Sequence, residues 1–134
     1  MMDFSAISLI AVLAAAVAGF VFGGAYYMVL SKPWLRASGV ACGPDGKPQG
    51  SSPAPFIVAI IADAVMAFVL AAILPVSAGP GDALPAAFLL WAGFVATTIS
   101  VNYAFGQRPV ALTVIDAGHW LGVLIVMALV LTLL

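Results

Sequence analysis

Residues 109–134 read PVALTVIDAGHWLGVLIVMALVLTLL. A proline opens a run that stays apolar to its last residue, with Asp116 and His119 as its only ionisable side chains. Crossing the hydrocarbon layer takes about 20 apolar residues in a helix, and this stretch is long enough. A charged group at the centre of such a helix costs roughly 2.5–3.5 kcal/mol on insertion scales. The two side chains are therefore expected to face protein, not lipid. Residues 4–30, 55–74 and 83–105 are runs of the same kind. The expected fold is all-α: a polytopic membrane protein with four transmembrane helices in an antiparallel bundle, a single domain over residues 1–134.

Composition agrees. Of 134 residues, 65% are hydrophobic and 7% charged, with a mean hydropathy of +1.24. Soluble domains are about 45–50% apolar. Four spans use nearly the whole chain and leave no room for a soluble catalytic domain. A net charge of −1 gives no basic surface for nucleic acid. Cys42 is the single cysteine, which excludes an internal disulfide and a cysteine-built zinc site. One His with scattered Asp residues makes a poor metal-ligand set. No P-loop, GxSxG or HExxH motif occurs, so no cofactor or catalytic group is expected.

The first run carries Ala14, Ala16 and Ala18, a small-residue pattern like that of a cleavage site. Its leader has Asp3 and no Lys or Arg, and its apolar stretch continues to Leu30, so retention as a span is expected. Lys32, Arg36 and Lys47 follow the first run, and Arg108 lies between the third and fourth. The opposite side holds Asp3 and Asp82 without a basic residue. By the positive-inside rule, loops 31–54 and 106–108 are cytoplasmic and both termini periplasmic in a bacterial inner membrane. Lys32, Trp34, Arg36 and Arg108 then read as membrane-interface anchors, and residues 37–54, rich in Gly, Pro and Ser, as a flexible cytoplasmic loop. Ser52 is a candidate N-cap for the second span, and Asp82 for the third with Pro85 in its first turn.

Ala11, Ala15, Gly19 and Gly23 form a small-xxx-small stripe, suited to packing inside the bundle or to a homo-oligomer seam. Gly118 and Gly122 give span four a second packing face roughly opposite Asp116.

A rise of about 1.5 Å per residue converts position into depth. Asp63 lies about 12 Å from the basic side, Asp116 about 10 Å and His119 about 15 Å. Tyr27 and Asn102 lie about 6 Å in and Thr98 about 12 Å. Each span thus brings polar groups to one level. Two carboxyls and an imidazole there could relay protons or hold a cation; equally, they could hydrogen-bond Asn102, Thr98 or a tyrosine and only hold helices together. A short internal echo exists, Tyr27-x-x-x-x-Lys32-Pro33 against Tyr103-x-x-x-x-Arg108-Pro109, each copy ending a span on the basic side.

The run Leu90-Trp91-Ala92-Gly93-Phe94-Val95-Ala96-Thr97-Thr98, followed by Asn102, Phe105 and Arg108, resembles a bacterial membrane family catalogued as a domain of unknown function, the seventeen-sixty-one family. Ile115 to His119, Gly24 to Tyr27 and Lys32 to Trp34 are similar to further elements of its pattern, so the resemblance covers nearly the whole chain. Asp116 and His119 stand where that pattern has Asn and Tyr. The resemblance implies four spans and a bacterial membrane, and no activity.

Three readings follow. The first is a small-solute or proton-linked permeation or binding protein, with Asp63, Asp116 and His119 lining a cavity open to the cytoplasm. The second is an accessory subunit of a larger membrane complex, and the third a membrane-embedded enzyme acting on a lipid or quinone. The partners expected are the lipid bilayer and further copies of the chain or a membrane complex.

Overall fold

The computed structural model describes residues 4–134; Asp3 lies outside them. Among these residues the protein is all-α. After a single 3-10 turn, Phe4–Ala6, come α1 (Leu9–Val29), α2 (Ser31–Ser38), α3 (Ala54–Ile73), α4 (Pro80–Leu90), a π-helical segment (Trp91–Ala96), α5 (Thr97–Phe105) and α6 (Val110–Leu133). α4, the π segment and α5 run on as one 26-residue rod. That rod, α1, α3 and α6 are each long and apolar enough to cross a membrane.

Local chemistry sets the ends. Ser8 accepts the Ala11 amide on its hydroxyl (3.2 Å) and starts α1. At α3 the Ser52 hydroxyl takes the Ala54 amide (3.4 Å), while Pro53 occupies the cap position. The third span begins earlier than its acidic residue suggests. Gly79 is the cap and Pro80 the first helical residue, a place where the missing N–H costs nothing. Asp82 therefore stands one turn in, accepting the Gly79 amide on Oδ2 (3.1 Å), and Pro85 lies inside the helix. Asp82→Ala removes that bond and the negative charge in the first turn and should cost about 0.5 kcal/mol, read as a lower midpoint in thermal unfolding followed by circular dichroism.

α2 covers part of what the sequence presents as boundary and loop. Pro33 fits because a first helical turn needs no amide donor there, and Gly39, at φ 68°, ends the helix in the left-handed conformation. The loop beyond is folded on itself. Gly43 donates to the Lys47 carbonyl (2.9 Å) and Gln49 to that of Ala41 (2.8 Å), with Cys42 exposed and free. At the last turn Gln107 takes a positive φ of 53°, and Pro109 caps α6.

α1 packs against both α3 and α6, and the third rod packs on α6; α3 meets α6 over a smaller contact. The core holds Val12, Ala15 and Ala16 of α1, Ala67 and Leu70 of α3, Ala83 and Ala87 of α4, and Val123, Leu124, Met127 and Ala128 of α6.

The α1–α6 seam alternates small with large. A methyl added to Gly23 would come 2.6 Å from His119 Nε2, one on Gly19 2.7 Å from Met127 Cε, and one on Gly118 2.8 Å from the Tyr26 hydroxyl. One on Gly122 would overlap the Phe22 ring. Within the chain, α6 fills the notches at Gly19 and Gly23, and Ala11 and Ala15 are buried too. Such notches let two backbones approach closely without a hydrophobic driving force.

Candidate functional site

At the end of the bundle that carries Lys32, Arg36 and Arg108, Asp116 projects from the second turn of α6 and is buried. Three donors converge on it. The Tyr27 hydroxyl of α1 donates to Oδ1 (2.6 Å), and the Trp34 indole of α2 donates to the same oxygen (3.1 Å). The Tyr103 hydroxyl of α5 donates to Oδ2 (2.6 Å). One carboxyl thus ties together four helices. Buried acceptors that are left unmet are costly, so this arrangement makes burying Asp116 affordable.

Neighbouring contacts lock the same layer. The Tyr26 hydroxyl donates to the Ile115 carbonyl (2.8 Å), and the Trp91 indole to that of Ala117 (2.7 Å). The Arg108 guanidinium donates to the Ser38 carbonyl, fastening the end of α2 to the turn before α6. Lys32 and Arg36 point to the exterior. Trp34 is half-buried and turned toward Asp116.

His119 sits one turn deeper on α6 and is packed in rings. Its centroid lies 4.6 Å from Tyr27, 4.6 Å from Trp120 and 5.6 Å from Tyr26. No hydrogen bond or ion pair joins it to Asp116, and its Nδ1 is buried without a partner among the described residues. Asp63 is 3% exposed, on the α3 face that also carries Ala67 and Leu70. Its Oδ1 is likewise buried and unpartnered. The two carboxyls expected at one level are therefore not brought together by any hydrogen bond.

Thr98 and Asn102 lie outside this layer, exposed on the rod's outer face. Thr98 returns its hydroxyl to the Phe94 carbonyl of its own helix. Tyr103, which holds one of the two Asp116 oxygens, was reachable from the sequence through the Tyr27/Tyr103 echo: the two repeated tyrosines grip opposite oxygens of one carboxyl. Tyr26 and Trp91 carry no comparable signal, since each bonds to a backbone carbonyl.

Neither of two surface cavities is lined by Asp63, Asp116 or His119. One, of about 830 Å³, opens at the opposite end among Ile7, Ser8, Ala11, Leu74, Leu131 and Thr132. The other, about 290 Å³, is a shallow groove bounded by Thr97, Thr98, Val101 and Asn102.

The family model described as protein of unknown function (DUF1761) covers residues 10–132, and the chain belongs to that family. No curated protein and no solved structure matches.

Proposed function

We propose that this DUF1761-family protein is a proton-linked protein of the bacterial inner membrane, with Asp63 and His119 as its proton-handling groups. The observation that carries this reading is the pair of buried unpartnered atoms, Asp63 Oδ1 and His119 Nδ1. Elsewhere in the bundle, buried polar side chains are matched with care: Asp116 alone takes three donors. An ionisable group kept inside a membrane without a structural partner marks function more than architecture. Imidazole and carboxyl are the side chains best suited to exchange a proton.

The packing narrows the first of the three readings. Aromatic side chains fill the space around His119, which suits a proton passing between hydrogen-bonding groups better than a solute needing an open channel. The four basic residues at one end support cytoplasmic placement of that end, with both termini periplasmic.

The test is proton flux in liposomes holding the purified full chain and an internal pH-sensitive dye, driven by a potassium diffusion potential. The wild type is expected to acidify or alkalinise the lumen faster than protein-free vesicles. Asp63→Asn, which keeps size and shape, should return the rate to that background while the purified variant remains folded. Wild-type rates equal to those of empty vesicles would overturn the reading.

A further inference from the structure

The third spanning rod keeps one face on the bundle by an unusual count. Ala83 and Ala87 are fully buried, and Trp91, Val95, Ile99 and Tyr103 are half-buried. The stripe steps by four residues throughout. A regular α-helix has about 3.6 residues per turn, so such a stripe drifts by about 40° at each step and would carry Tyr103 about 160° away from Ala87. Tyr103 nonetheless reaches Asp116 (2.6 Å). The π segment, Trp91–Ala96, supplies most of the correction. Its backbone bonds close one residue later than those of an α-helix, and one surplus residue turns everything beyond it by about 100°.

Hydroxyls beyond the segment serve it. Thr97 donates to the Gly93 carbonyl (2.9 Å), Ser100 to that of Ala96 (2.6 Å) and Thr98 to that of Phe94. All three acceptors belong to the π segment. Ser and Thr side chains re-satisfy irregular backbone inside a membrane in this way. The two sides of the segment are held differently. Upstream, Ala83 and Ala87 lie in the core, and the Trp91 indole is bonded to the Ala117 carbonyl (2.7 Å). Downstream, no residue of α5 is buried. Among the described residues, its side-chain hydrogen bond to another helix is the one from Tyr103 to Asp116.

We propose that the rod is a two-register switch, in which the π segment relaxes into α-helix and α5 turns about its axis by one residue. The inward stripe Val95, Ile99, Tyr103 is then exchanged for Phe94, Thr98, Asn102, all three exposed in this structure. Each register offers Asp116 a donor from nearly the same height: the Tyr103 hydroxyl in one, the Asn102 amide in the other. Tyr27 and Trp34, on α1 and α2, stay in place in both. An amide is shorter than a phenol, so α5 draws closer, and the smaller Thr98 in place of Ile99 leaves room for it. The α register gains regular backbone bonding, which a π turn lacks; the π register keeps the fit of Val95 and Ile99. Small helix shifts of this kind are a common way for packed helices to hold two states. The switch does not rest on the proton reading, whose groups Asp63 and His119 lie outside the rod.

The experiment is fluorine NMR of the full chain in lipid nanodiscs, labelled with 3-fluorotyrosine. The three tyrosines give three signals, and Tyr103→Phe assigns the one from Tyr103. In the wild type, saturation transfer is expected to reveal a second Tyr103 state. Deleting Gly93 removes the surplus residue, so the rod becomes continuous α-helix with Tyr103 still inward, and the second state should vanish. Deleting Ala92 removes the same surplus and replaces that variant if it does not fold. Asn102→Leu takes away the second donor and should lower the population of the second state about threefold. A wild type with one Tyr103 state, or a second state that survives the deletion, would overturn the proposal. A population unchanged by Asn102→Leu would overturn the part given to Asn102.

Discussion

Replacing Asp116 by alanine is expected to detach α2 from the bundle and to lower stability by about 3 kcal/mol. The change removes the common acceptor of Tyr27, Trp34 and Tyr103. Interhelical hydrogen bonds in bilayers average about 0.6 kcal/mol each, which puts three of them near 2 kcal/mol. Stranding a buried donor adds to this, since an unmet polar group costs about 1–3 kcal/mol. Only part of that addition applies, because all three donors are half-buried. Unfolding in mixed micelles measures the loss. Limited proteolysis reports on α2, whose attachment would then rest on Arg108 and the Ser38 carbonyl, so cleavage in the 39–53 loop should quicken. Asp116→Asn keeps one carbonyl acceptor and should lose less than Asp116→Ala. A variant as stable and as protected as the wild type would show that the three donors find other partners at no cost.

The same carboxyl shows what a sequence of this kind discloses. Length and apolarity point to the four spans, because a helix satisfies its own backbone groups within a single segment in hydrocarbon. Residue counting from a rise of about 1.5 Å per residue gives an expected height for Asp63, Asp116 and His119. Counting does not fix which helices are neighbours. α1 packs against both α3 and α6, and the donors to Asp116 come from α1, α2 and α5, none of them from the helix that carries Asp63. Depth makes Asn102 and Thr98 candidate partners for the buried carboxyls, yet the rod that carries them is mostly uncovered within the protomer. Trp34 reads as an anchor when its neighbours are Lys32 and Arg36; its indole turns inward because Asp116, distant in sequence, offers an acceptor. α2 is eight residues long, below the length at which an apolar period can be recognised, and its stability comes from packing.

Introducing leucine at Gly23 is expected to cost about 3 kcal/mol, while leucine at Gly24 should change stability by less than about 0.5 kcal/mol. The two sites are adjacent in α1, so helix propensity and bilayer depth are nearly equal; only the facing differs. Nothing stands within 4 Å of a methyl added to Gly24, which faces away from the bundle, whereas one on Gly23 meets His119 Nε2 at 2.6 Å. The imidazole has little freedom to yield, since Tyr26, Tyr27 and Trp120 pack around it. The strain is then shared between α1 and α6, the pair that also positions Tyr27 and Asp116. Titration with a denaturing detergent separates the two variants. Combining Gly23→Leu with His119→Ala tests the cause. The smaller side chain vacates the space, so the double variant should be more stable than the sum of its single losses predicts. Strict additivity would mean that the damage at Gly23 arises from some contact other than the ring of His119.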